Sequence, residues 1–272
     1  MLDEGLKVLL APLLIWQGRR VRRLALRLPE AAGARQGEAG QGAQPCLRLL
    51  IVGDSSAAGV GAATQDEALA GRLAQALAAR LQGRVQWRLL ARSGDLCADA
   101  LRQLRETELE PADVMVTALG VNDTVGQVPV RRWLAQLQAL HQLAVARAGV
   151  RYTLHSAVPP MHAFALLPQP LRVWLGLRAS RLNRALSRQL AGHTARGLQS
   201  LPAPLHQVAV ARRLMAPDGF HPNPEGYALW AEVLAERIVQ EWPRIAAVPL
   251  ALRSHCAPDR AGPGSGAAGS GD

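Results

Sequence analysis

Leu47-Arg48-Leu49-Leu50-Ile51-Val52 runs directly into Gly53-Asp54-Ser55-Ser56. The run is apolar apart from Arg48 and ends at a glycine. A short apolar run closed by a turn signal is the pattern of a strand buried on both faces, and such strands belong to parallel sheets covered by helices. Moving outward, the same pattern recurs at 113–119 (DVMVTAL), which turns into Gly120-Val121-Asn122-Asp123. Weaker strand patterns lie at 85–90 and 150–156. Apolar residues at helical spacing fill 66–81, 97–106, 129–148, 170–190 and 224–242. A fifth strand is faint, with 199–201 and 207–210 as candidates. Strand alternating with helix predicts an α/β fold, a three-layer α/β/α sandwich with a mostly parallel sheet.

Ligands of such sheets bind beyond the carboxyl ends of the strands. The polar turns of this chain lie there. Gly53-Asp54-Ser55-Ser56 follows the first strand, Ser93-Gly94-Asp95 the second, and Gly120-Val121-Asn122-Asp123 the third. A serine hydroxyl becomes a nucleophile when a base takes its proton, and the usual base is a histidine oriented by a carboxylate. Asp218-Gly219-Phe220-His221-Pro222 supplies both. Pro222 disfavours helix at His221 and Gly219 allows a tight turn, so Asp218 can fold back onto the imidazole. Candidate donors for a tetrahedral oxyanion are the backbone N–H groups of Ser55 and Gly94 and the side-chain amide of Asn122.

Four blocks in this order, Gly53-Asp54-Ser55, Gly94, Gly120-Val121-Asn122-Asp123 and Asp218-Gly219-Phe220-His221-Pro222, resemble those of the SGNH/GDSL hydrolases, over about residues 46–243. The resemblance implies a flavodoxin-like sheet and a serine ester hydrolase of the esterase/lipase kind, with no metal and no cofactor. It implies Ser55 as nucleophile, His221 and Asp218 as base and orienting acid, and Ser55, Gly94 and Asn122 as the oxyanion hole. Acyl esters, lysophospholipids, thioesters and acetylated sugars are all substrates of that family. Ser56 departs from the leucine many relatives carry after the nucleophile. Asp123 is expected to be a buried partner of neighbouring loops.

Three rivals are weaker. An α/β-hydrolase places its serine in G-x-S-x-G, whereas Ala57 holds the last position here, and its acid is well separated from its histidine. A catalytically inactive binding module would not need every polar position filled. Nucleic-acid binding is suggested by the net charge of +10, but Lys7 is the only lysine and no aromatic residues interleave with the arginines as a base-stacking surface requires. Arg178, Arg181, Arg184 and Arg188 recur at helical spacing and are expected on a solvated face. His141, His155, His162, His193 and His206 are expected at the surface or hydrogen-bonded in the core. Gly59-Val60-Gly61 is half of a dinucleotide fingerprint without its third glycine.

Residues 1–45 are expected to form an apolar and basic arm plus a linker at 30–45, residues 46–245 the hydrolase domain, and residues 246–272 a Gly/Ala/Ser/Pro-rich disordered tail. Leu6 to Trp16 is too short to span a membrane and is followed by Arg19, Arg20, Arg22 and Arg23. Residues 5–27 are therefore a candidate for peripheral membrane contact, the alternative being a helix packed on the domain. Cys46, Cys97 and Cys256 form no metal or disulfide pattern and point to a cytoplasmic location, or the inner face of a membrane. The partner expected is a small-molecule or lipid acyl ester and not a nucleic acid; the sequence leaves the oligomeric state open. The segment 159–169 (PPMHAFALLPQ) is expected to wall an acyl pocket.

Overall fold

The computed structural model describes residues 4–164 and 166–247, with side chains from Leu10 onward. A six-stranded sheet forms the middle layer. Its strands are β1 (Gln36–Ala39), β2 (Pro45–Gly53), β3 (Arg84–Ala91), β4 (Val114–Ala118), β5 (Tyr152–Ser156) and β6 (Arg196–Gln199), in the spatial order β1-β3-β2-β4-β5-β6. Only β1 is antiparallel to its neighbour; the other pairings are parallel. The parallel part has the flavodoxin-like order.

Strand alternation explains the three layers. Leu47, Leu49 and Ile51 of β2 face one core with α2 (Leu69–Leu81) and α8 (Pro224–Ala246). Leu50 and Val52 face the opposite core with α3 (Cys97–Glu106), α5 (Val130–Ala148) and α6 (Leu171–Leu190). Successive side chains of a strand point to opposite faces, so a continuous apolar run signals helices on both sides. Two short helices, α4 (Val121–Val125) and α7 (Val208–Ala211), follow strand exits. A longer helix, α1 (Glu4–Leu24), precedes the sheet. It is tied to the start of α6 through Gln17, whose amide donates to the Gln169 carbonyl at 2.6 Å and accepts from the Leu171 N–H at 3.1 Å. Among the described residues, no helix is long and apolar enough to cross a membrane.

The structure corrects three expectations. The segment 30–45 is not a free linker. Gln36–Ala39 pairs with β3, Ala31 is buried, and the Gln65 amide bridges the carbonyls of Ala31 and Ala58. A half-exposed edge strand is held by its backbone ladder, so its side chains carry no hydrophobic signature. The last strand is 196–199, sharing only Gln199 with the first candidate, and 208–211 is helical. Arg178 is not on a solvated face: its guanidinium donates to the Thr124 and Val128 carbonyls at 3.0 and 2.7 Å. The expected tail lies outside the described residues from 248 onward, as does Cys256.

One buried histidine has a measurable consequence. His155 on β5 is 1% exposed; its Nδ1 lies 2.8 Å from Thr117 Oγ1 and its Nε2 lies 3.4 Å from the Arg196 guanidinium. A nitrogen facing a guanidinium must accept, so the ring is neutral with its proton on Nδ1. Burial, reinforced by Arg196, depresses its pKa to about 3 from an ordinary 6.5. The unfolded chain therefore takes up a proton that the folded protein refuses. Stability is full above pH 6.5 and declines as the pH falls toward 3, by about 2 kcal/mol at pH 5 from this residue. His155→Gln should shrink the loss of Tm between pH 7 and pH 5, whatever its starting Tm. Equal losses in variant and parent would remove His155 as the source.

Candidate active site

The site lies where the sheet reverses its winding. The connection leaving β2 packs α2 on one face, and that leaving β4 packs α5 on the other, so the two strand exits diverge and open a crevice. Ser55 follows β2 and Asn122 follows β4. Asp54 closes the turn at Ser55: its N–H donates to the Ala118 carbonyl, and its Oδ1 accepts the Ser56 N–H at 3.0 Å. Burial raises the Asp54 pKa to about 7, although the Ser56 N–H pulls the other way. The Ser55 N–H has no acceptor among the described residues.

The partner loop is self-supporting. The Ala216 N–H donates to the His221 carbonyl, Gly219 N–H to Ala216 O, and Asn223 N–H to Leu214 O. Asn223 then caps α8 by accepting the Gly226 N–H at 2.9 Å, with Pro224 in the first turn. This loop carries Asp218 and His221 to the serine. His221 Nε2 lies 2.7 Å from Ser55 Oγ, and His221 Nδ1 lies 2.6 Å from Asp218 Oδ2. Asp218 Oδ1 accepts the N–H groups of Phe220 and His221 at 3.0 and 3.1 Å. Burial alone would raise the Asp218 pKa, but the bonds from the His221 ring and these two amides outweigh it and hold the carboxyl below its ordinary value. Burial increases along the row: Ser55 and His221 are partly exposed and Asp218 is buried.

The other expected site residues are less directly engaged. The Asn122 amide donates to the Asp95 carbonyl at 3.0 Å, which ties the β4 exit to the β3 exit. Gly94 is exposed, with φ +90°, and its N–H has no acceptor among the described residues. Asp123 is fully buried and accepts the Cys97 N–H through both oxygens, as expected of a loop partner; burial raises its pKa against that bond. Among the described residues, no group of three or more potential ligands could hold a metal.

Two supporting residues escaped sequence reasoning. Glu30 accepts the Ser93 N–H at 2.7 Å and pairs with Arg35, so it fixes the turn that presents Gly94. Nothing local signals a contact 63 positions away. Gly61 has φ +101°, and a Cβ there would strike the Pro222 carbonyl. Gly61 thus serves close packing of the serine loop on the histidine loop, whereas Gly59 lets the same loop approach Ala31 and Ala68. Glycine recurring just after the serine was the available signal.

An apolar pocket opens beside the row, lined by Phe164, Leu201, Leu205, Met215 and Phe220 together with Asp54 and Ser56. Phe164 meets Phe220 edge to face, with centroids 5.8 Å apart. Leu166 is exposed and packs against Gly219 of the histidine loop. The segment 159–169 therefore does wall a pocket, through Pro159, Pro160 and Phe164.

A flavodoxin-like sheet thus carries a serine–histidine–aspartate row at its switch point. The chain belongs to the GDSL-like lipase/acylhydrolase family, whose model matches residues 51–229. The GDSL-like esterase Rv1075c of Mycobacterium tuberculosis is 30% identical over 199 residues, 69% of this chain and 60% of that protein. The match thus spans less than two thirds of that relative. The esterase EstA of Pseudoalteromonas sp. superposes with a TM-score of 0.53 at 22% identity, covering 72% of this chain and 98% of that one. A lipase from a goat rumen metagenome gives 0.56 at 18% identity, covering 70% and 96%. At these identities the two solved structures show the shared fold.

Proposed function

We propose that the protein hydrolyses carboxylic acyl esters through an acyl-enzyme on Ser55. The observation that carries this reading is the unbroken hydrogen-bonded row from Ser55 Oγ through His221 to Asp218, at 2.7 and 2.6 Å. Ser55 Oγ attacks the acyl carbonyl while its proton passes to His221 Nε2. His221 then protonates the departing alkoxide, and a water activated by the same nitrogen releases the acid. Asp218 holds the proton of the neutral ring on Nδ1 and stabilises the imidazolium that forms. The free Ser55 and Gly94 N–H groups and the Asn122 amide are the donors for the oxyanion. The apolar pocket takes the acyl chain.

A fluorophosphonate probe tests this reading. It mimics the tetrahedral intermediate and phosphonylates only an activated serine; the Pseudoalteromonas esterase is described as inhibited by monoethylphosphonate. Stoichiometric labelling that disappears in Ser55→Ala is the expected result. Folded protein that stays unlabelled would sink the proposal and favour an inactive ligand-binding module. A panel of p-nitrophenyl esters of rising chain length, beside a lysophospholipid, a thioester and an acetylated sugar, would then define the acyl and leaving groups.

A further inference from the structure

The exposed apolar side chains of this protein are unevenly distributed. Leu13, Ile15, Trp16, Leu24 and Leu26 lie on or just after α1, Val173 and Leu177 lie on α6, against which α1 packs, and Leu166 lies in the segment preceding α6. Helix α1 has two faces. Leu14, Gln17 and Val21 turn inward, where Leu14 and Val21 pack on the core and Gln17 is hydrogen-bonded to 169 and 171. At 100° per residue, the opposite arc carries Ile15, Trp16, Arg19, Arg20, Arg22 and Arg23, all exposed. The apolar pair and the four arginines are spread along about 12 Å of that arc. Arg20 stacks over the Trp16 ring at 5.4 Å. No acidic residue occurs between Glu4 and Glu30.

We propose that this outward face of α1 docks on an anionic lipid bilayer and delivers acyl esters carried by that bilayer to Ser55. Charge complementarity identifies the occupant. Four arginines in a stretch without acidic residues attract anionic headgroups, while an exposed tryptophan and isoleucine enter the boundary between headgroups and acyl chains. Placement gives the docking its purpose. Gln17 grips the end of the 159–169 segment, whose Phe164 walls the pocket and whose Leu166 covers Gly219 of the histidine loop. A bilayer seated on the outward arc of α1 is therefore one helix away from the segment that walls the pocket. The delivery step rests on the ester-hydrolase reading; the docking does not.

Co-sedimentation with vesicles of phosphatidylcholine alone, or with 30% phosphatidylglycerol, tests the docking independently of catalysis. The full chain should bind the anionic vesicles, bind neutral ones far less, and be released by salt. Replacing Arg19, Arg20, Arg22 and Arg23 together with glutamine should weaken binding on the order of 10²- to 10³-fold. Trp16→Glu should weaken it at every salt concentration. Both variants change only exposed side chains and should hydrolyse a soluble p-nitrophenyl ester like the parent. Equal binding to both vesicle types, no binding, or binding that the arginine variant retains would each overturn the proposal. So would a dimer that Trp16→Glu dissociates while vesicles are ignored, since the face would then belong to a second copy. Vesicle binding without ester turnover in any assay would leave the docking standing and remove the delivery step.

Discussion

Ser55→Ala and His221→Ala should each lower kcat/KM for a p-nitrophenyl ester by on the order of 10⁴- to 10⁶-fold, and the double variant should be little worse than either single one. The expectation follows from the geometry of the row. Ser55 Oγ and His221 Nε2 lie 2.7 Å apart, so on the proposed mechanism nucleophile and base act as one unit and removing either disables both. Independent contributions would multiply instead. Circular dichroism and Tm should stay near the parent values, because Ser55 and His221 are only partly buried. Activity within tenfold of the parent in either single variant would show that the reacting serine lies elsewhere, with Ser56 the first position to try.

Asp218→Asn should cost on the order of 10²- to 10⁴-fold in kcat with little change in KM, and Asp218→Ala should additionally destabilise the loop. The two oxygens of Asp218 do different work. Oδ2 receives the imidazole at 2.6 Å, and Oδ1 receives the Phe220 and His221 N–H groups. Asparagine can keep its oxygen on the two amides and so preserve the loop. Its NH₂ then faces Nδ1, which must give up its proton to accept. The ring is driven to the tautomer with hydrogen on Nε2, where it can no longer take the serine proton. Alanine loses both functions. Kinetics beside thermal melts of the two variants separate them. A fully active Asp218→Asn would mean that the tautomer does not depend on this carboxylate.

How far the sequence reveals this molecule depends on what holds each element. β2 and β4 are legible because a strand between two helical layers must be apolar on both faces, as Leu49, Leu50, Ile51 and Val52 are. β1 and β6 are edge strands held by backbone pairing; Gln36-Gly37-Glu38 and Arg196-Gly197 offer no pattern to see. The site follows the same division. Ser55, Asn122 and the 218–222 block announce themselves because each couples a chemically useful side chain to a strand exit or a tight loop. Glu30 and Arg178 act across long sequence separations on backbone groups of other loops, and that bonding has no local pattern. The 2.7 Å contact between residues 55 and 221 bridges 166 positions. It was inferable only because four separate blocks occur together.

The hydrogen bond from the Ser93 N–H to Glu30 bears on how this chain can vary over evolutionary time. Glu30 lies outside the family-matched stretch 51–229, in a segment whose composition suggests free drift. Yet its carboxylate, with Arg35 beside it, is what meets the backbone of the Ser93–Gly94 turn. Position 30 is therefore tied in the fold to residues 92–95 rather than to the helix preceding it. A lineage that exchanges its amino-terminal arm must carry the carboxylate across, or rebuild the turn that it supports.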